Sequence, residues 1–262
     1  MNKLQREAKR AERKIKQNIN NFNREVREYN SNVRKNRNKI LRELNRMQSA
    51  NTLNTEYYTS VQLVHNTYTK VNELYNKGIV DDKLFNAIEN ENANSLELGN
   101  VVLNKSEIED SEERFDESNI SDKLIKISTD LNDRWKGALF SLSPNNPEAT
   151  RHFCTSTREI LKVLIDDGIK DKDVINNNPK CEKTKNGTPT RREKIKYVMS
   201  KKGISSELII EFTDNNIENI VSLINELSNG THGHSNKYSL NQLKLLKKRF
   251  EYSINFVCEY VI

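Results

Sequence analysis

The sequence predicts an all-α protein, and three observations support that prediction. Apolar residues recur at steps of three and four along most of the chain, which is the spacing of one face of a helix. Apolar and polar residues never alternate over a run long enough to form a strand. The 262 residues include only 8 Gly and 4 Pro, few of the turn formers that β-sandwiches and glycine-lined nucleotide folds use.

The composition narrows the class of protein. Hydrophobic residues make up 34% of the chain and charged residues 31%. Apolar runs fall short of the ~20 residues that span a bilayer, which excludes an integral membrane protein. The N-terminus leads into charged residues, so no secretory signal is expected. Three cysteines without a Cys-x-x-Cys pair fit a reducing compartment and argue against a zinc ribbon. We therefore expect a cytoplasmic protein without a metal or cofactor.

Residues 3–48 show the clearest helical pattern. Their apolar positions follow one another in steps of three and four, and Leu4, Phe22 and Ile40 are spaced 18 residues apart, about five helical turns. A strict seven-residue repeat would impose a left-handed supercoil, so this longer period predicts a nearly straight helix.

A helix this polar cannot bury its apolar stripe alone, so a partner helix is expected. Residues 53–77 carry apolar side chains at helical spacing and are the predicted partner. Asn18 and Asn36 take equivalent positions in the stripe, where polar residues fix register and partner number in coiled coils. The prediction is a basic helical hairpin or coiled coil over 1–78 that self-associates. The alternative is a solvated charged helix with no partner.

Charge is strongly segregated along the chain. Residues 1–48 carry 15 Lys and Arg against 5 Asp and Glu, whereas residues 79–122 carry 3 against 13. Two interpretations follow: the basic N-terminus contacts nucleic acid, or the acidic segment of the same or a neighbouring chain neutralises it.

Three segments are expected from the composition. After the hairpin over 1–78, residues 79–119 should form a helix followed by an acidic linker, because 105–119 has few apolar residues to bury. Residues 120–262 should form a compact all-α domain. Its predicted elements are one helix over 124–142, a second over 147–168, a polar loop over 171–188, a basic helix over 190–201, one or two helices over 205–227 and a last helix over 240–261.

A glycine-flanked loop near the C-terminus contains the first candidate site. His232 and His234 lie between two apolar helices, close to Asn229. A loop histidine titrates near neutrality and can act as general acid or base. The alternatives are a histidine that caps a helix end, or a His-x-His metal site, for which no neighbouring carboxylate or cysteine provides further ligands.

Two basic clusters are candidate phosphate sites. Arg151 and His152 begin one predicted helix, and Arg158 follows two turns later, so two guanidinium groups share a face. Residues 180–202 carry nine basic and two acidic side chains. Within them Arg191, Arg192 and Lys194 open a helix whose free amides also favour anions. The structural alternatives are an ion pair of Arg158 and Glu159 with Arg134, and a solvated charged face for most of the lysines.

Several reactions lack the motif they need. The chain has no glycine-rich phosphate loop or dinucleotide fingerprint, which excludes the usual ATPases and hydride-transfer enzymes. Glu-x-Lys occurs only at Glu7-Lys9 and Glu12-Lys14, inside the long helix rather than on the strand that a PD-(D/E)xK nuclease uses. Gly-x-Ser-x-Gly is absent, so a serine hydrolase is not indicated.

Motifs in the second half of the chain resemble the predicted PIWI-associating nuclease family of bacteria. They are, in order, Asp133-Arg134-Trp135-Lys136-Gly137-Ala138-Leu139, Asn146-Pro147, Arg151-His152-Phe153, Ser156-x-Arg158-Glu159, Pro189-Thr190-Arg191-Arg192 and Asn229-Gly230-Thr231-His232-Gly233. The last motif is also similar to that of HEPN RNases, in which an Arg precedes the His by a few residues. Here no Arg lies between Asp214 and His232, so Arg191, Arg192 or Arg151 would have to supply it.

This resemblance implies a metal-independent nuclease of antiviral defence, acting on RNA more than on DNA. His232 would act as general acid or base, Asn229 would orient it, and Arg191 and Arg192 would hold the scissile phosphate. Lys194, Arg151, His152 and Arg158 would bind the remaining nucleic acid. The alternative is a non-enzymatic sensor or adaptor that oligomerises through its N-terminal helices and binds a ligand, nucleic acid or another defence-system protein.

Overall fold

A computed structural model describes residues 3–49, 56–104, 120–143, 145–229 and 239–261. Across these ranges the chain folds into α-helices, with one isolated β-bridge between Lys183 and Pro189. The helices are α1 (Lys3–Ser49), α2 (Glu56–Asn76), α3 (Asp82–Asn104), α4 (Ser121–Ile127), α5 (Thr129–Ser141), α6 (Ala149–Lys162), α7 (Asp171–Asn177), α8 (Arg191–Lys201), α9 (Glu207–Asn229) and α10 (Leu240–Phe256). The all-α prediction is confirmed. No helix in these ranges has the length and apolar character needed to cross a bilayer.

Two helix predictions need correction. The segment predicted as one helix over 124–142 is broken at Ser128, which is extended and ends α4 through a bond from its N–H to the Leu124 carbonyl oxygen. Asp130 in the first turn of α5 favours a new helix start. The predicted polar loop over 171–188 contains α7, whose Val174 is buried. The acidic linker 105–119 lies outside the described residues.

Helices α1 and α2 both pack on α3. Arg37 and Glu43 of α1 contact Glu89 and Asn100 of α3, so these two helices run parallel. Helix α2 runs antiparallel to α3, and hence to α1. The helix on which α1 mainly packs is α3 rather than the predicted partner α2.

The N-terminal part of α1 projects beyond this bundle. Arg37 of α1 lies beside Glu89, and α3 begins seven residues earlier, at Asp82. About the first 28 residues of α1 therefore have no described neighbour beside them, which is about 40 Å of helix. The described side chains from Arg10 to Asn32 are all exposed, including Phe22 at 64%. Self-association of the chain through the apolar stripe of α1 stays a prediction.

A buried polar network joins the N-terminal helices to α9 and α10. Arg249 of α10 is 1% exposed and donates to Glu91 of α3 at 2.5 Å and to Asn216 of α9 at 2.7 Å. Asn219 donates to Ser60 of α2 and accepts from Ser95 of α3, both at 3.0 Å. These bonds cross a hydrophobic core that runs through the same helices.

Aromatic packing places the remaining helices around α10. Trp135 of α5, Phe153 of α6 and Phe250 of α10 are fully or almost fully buried, with ring centroids 5.5 to 6.3 Å apart. Phe212 of α9 packs edge-on against Phe256 of α10. Helices α6 and α8, which carry the predicted basic clusters, both pack on α9.

Candidate nucleic-acid interface

The start of α8 is built as the sequence predicts. Thr190 caps the helix by accepting a bond from the Glu193 N–H, and the bridge between Lys183 and Pro189 closes the preceding loop. Arg191 and Arg192 therefore occupy the first turn, where free amides and the helix dipole favour an anion.

The arginines and the lysine of this turn already have anionic partners. Arg191 donates from Nε to Asp214 at 3.0 Å and from Nη2 to Glu218 at 2.7 Å, both on α9. Burial lowers the pKa of Arg191, but the Asp214 and Glu218 carboxylates have the larger combined effect, so the pKa of Arg191 is raised. This arginine ties α8 to α9.

The other two candidate residues of α8, Arg192 and Lys194, differ in exposure. Arg192 donates to Glu207 at 2.6 Å, and both side chains are partly exposed, so the pair holds Arg192 only weakly. Lys194 is 8% exposed and lies 2.8 Å from both the Asp171 carboxylate and the Asp166 carbonyl oxygen. Of the three, Arg192 is the most accessible to a phosphate.

Helix α6 presents a more open basic surface. Asn146 bonds to the Ser141 carbonyl oxygen at 2.6 Å and lies 3.4 Å from His152 Nδ1, which holds the chain at the helix start. Arg151, His152 and Arg158 are all exposed. Arg151 has a weak contact with Glu148 at 3.5 Å, within its own first turn.

Lys162 extends this surface, although it lies outside the basic clusters predicted from the sequence. It follows Arg158 by four residues and is exposed, so Arg151, Thr155, Arg158 and Lys162 lie on one face of α6. We call these four residues the α6 stripe. The spacing alone could have revealed Lys162, since all four positions follow the helical repeat. Glu159 lies near Arg134, as the structural alternative expects, but Arg134 bonds to Asp130 at 2.7 Å.

The predicted catalytic histidine falls outside the described residues, together with His234. Asn229, the last residue of α9, lies 11 residues beyond Glu218, about 16 Å along the helix axis. Arg191 of α8 contacts α9 at Asp214 and Glu218, so the structure does not bring it to Asn229 at the end of α9.

Other arginines lie at the same end of the bundle as Asn229. Because α1, α3 and α9 all run parallel, their C-terminal ends lie on one side. Arg42 and Arg46 of α1 are 64% and 42% exposed there and flank the buried Glu43. Nothing in the sequence pattern links them to His232, which follows more than 180 residues later.

A family model for predicted pPIWI-associating nucleases matches residues 124–257. The chain belongs to this family. The match extends from Leu124 in α4 to Val257 and covers just over half of the chain. No curated protein and no solved structure matches the sequence.

The family region and the N-terminal helices share one core. Helices α2 and α3 lie outside the matched residues but pack on α9 and α10 within them. The described side chains include no group of three or more His, Cys, Asp or Glu that could hold a metal ion. The similarity to HEPN RNases stays a prediction.

Proposed function

We propose that the protein is a metal-independent nuclease of antiviral defence that cleaves RNA rather than DNA. The proposal rests on membership of the nuclease family, and the exposed α6 stripe offers a surface for the substrate. RNA carries its own nucleophile, the 2′-hydroxyl. Its attack on the adjacent phosphorus needs proton transfer and stabilisation of the developing charge, but no metal-activated water.

In this proposal His232 accepts the proton of the attacking 2′-hydroxyl or delivers one to the departing 5′-oxygen. Asn229 orients the histidine, and the α6 stripe with His152 holds the substrate backbone. Arg192 adds a phosphate contact, whereas Arg191 and Lys194 position α8 through their carboxylate partners. Arg42 or Arg46 supplies the arginine missing beside the histidine.

The deciding experiment compares His232→Ala with the wild type on labelled RNA. Loss of a general acid or base lowers the cleavage rate by about 10²-fold, and excess chelator leaves the wild-type rate unchanged. A matched strand with 2′-deoxy nucleotides stays intact. His234→Ala, two residues further along the chain, is the control and keeps most of the activity.

Two outcomes contradict this assignment. Chelator-sensitive cleavage argues for metal-dependent chemistry. Equal rates for His232→Ala and wild type remove the histidine from catalysis, provided that both proteins melt at the same temperature.

Substrate binding by the α6 stripe is tested separately from cleavage. Each phosphate contact contributes about 0.7 to the slope of log affinity against log salt for a single strand. The pair Arg151→Gln and Arg158→Gln should therefore flatten the slope by about 1.4. The control pair Lys180→Gln and Lys185→Gln removes the same charge from an exposed loop and should leave the slope nearly unchanged.

A sensor or adaptor is the second candidate, favoured by the projecting apolar stripe of α1. In that case the N-terminal helices join copies of the chain or bind another defence-system protein, and the C-terminal region binds without cutting. Wild-type protein that binds RNA but never cleaves it supports this role.

A further inference from the structure

A cleft of about 350 Å³ opens between α1 and α2. It lies outside the residues that the nuclease family model matches, and its volume is within the range of small-molecule sites. Its α1 wall is apolar and consists of Ile40, Leu41 and Leu44, of which Leu41 is 61% exposed. This wall offers a surface on which a flat, weakly polar group can lie.

The α2 wall is polar and aromatic. His65, Tyr68, Asn72 and Asn76 follow one another at steps of three and four, so a single stripe of α2 lines the cleft. His65 Nδ1 lies 3.3 Å from Asn92, and burial lowers the pKa of His65, so its ring is neutral at pH 7. Each asparagine carboxamide carries both a donor and an acceptor.

Arg37 lies at the rim, above a buried carboxylate. Tyr68 donates to Glu89 at 3.0 Å, and Arg37 Nε lies 3.5 Å from the same oxygen. The Arg37 side chain is still 51% exposed. Burial raises the pKa of Glu89, whose carboxylate lies beneath the cleft. None of the described lining residues carries a carboxylate.

We propose that this cleft binds a free nucleotide, with the base between the α1 and α2 walls and the phosphate on Arg37. The base would lie against the apolar α1 wall, where Leu41 is exposed. Asn72 and Asn76 would bond to the base edge, since carboxamides match its paired donors and acceptors. A guanidinium at the rim suits the phosphate. This inference is independent of the nuclease assignment.

The test is calorimetric titration of the full chain with AMP and with UMP. Adenosine, uridine, inorganic phosphate and a 5′-phosphorylated tetranucleotide are the comparison probes. We expect at least one mononucleotide to bind and its nucleoside to bind about tenfold more weakly. Arg37→Gln, Asn72→Leu and Asn76→Leu should each weaken the mononucleotide by about tenfold or more.

Two control variants separate this site from other functions. Arg34→Gln removes an exposed charge one turn before Arg37, and His232→Ala removes the proposed catalytic group; both should bind the mononucleotide as the wild type does. Asn76 is exposed, so its variant keeps the test valid if Arg37→Gln fails to fold. The proposal is overturned if neither mononucleotide binds, if Asn76→Leu binds unchanged, or if only the tetranucleotide binds.

Discussion

Replacing Arg249 by methionine should cause a large loss of stability. The guanidinium is 1% exposed and bonds to Glu91, Asn216, Asn219 and Ser253, so one side chain links α10 to α3 and α9. Methionine fills much of the volume but leaves the Glu91 carboxylate, 2% exposed, without its counter-charge.

The expected loss in the free energy of unfolding is about 3–5 kcal/mol, the usual cost of removing one partner from a buried ion pair. For a chain of this size each kcal/mol shifts the melting temperature by about 2–4 °C. The variant should therefore melt about 6–20 °C below the wild type. Removing Glu91 as well should restore part of the loss, because no uncompensated charge then remains.

The measurement is urea unfolding followed by circular dichroism for Arg249→Met, Glu91→Met and the double variant. Arg151→Met is the control, since that arginine is 68% exposed and should change stability by less than about 0.5 kcal/mol. A loss below about 1 kcal/mol for Arg249→Met, or strict additivity in the double variant, would refute the reasoning.

Three further perturbations test other parts of the molecule. Gly99→Val should cost about 1–3 kcal/mol, because a Cβ at Gly99 would lie 3.2 Å from Val61 Cγ2 where α2 meets α3; an unchanged melting temperature would contradict this close approach. Burial lowers the pKa of His65 in the folded chain. The unfolded chain therefore binds a proton first, and stability falls once the pH drops below about 6.5, the ordinary pKa of histidine. His65→Asn should reduce the drop in melting temperature between about pH 7.5 and pH 5.5, and an equal drop in both proteins would count against the shift. Phe22→Asp should convert the self-associating wild-type chain to monomers in sedimentation velocity at tens of micromolar. A wild type that is already monomeric at that concentration would contradict self-association.

The sequence alone determined the helical class and most helix positions, because helical spacing of apolar residues is a local property. Helix α8 was predicted to within a residue, since Thr190 is a good cap and the run behind it has the right period. The break at Ser128 was missed because a two-helix segment keeps almost the same apolar spacing as a continuous one.

Only the tertiary structure decided which charges have partners. Arg191 and Arg192 are adjacent and look equivalent in sequence, yet Arg191 meets two carboxylates that lie 23 and 27 residues away. The same holds for Arg249 and Glu91, which are 158 residues apart. It holds too for the cleft, where Arg37 and Tyr68 both contact Glu89 only because α1 and α2 both pack against α3. Periodicity reports which side of its own helix a residue faces, but a charge or a cleft depends on which helix lies opposite. That pairing is set by packing of the whole core.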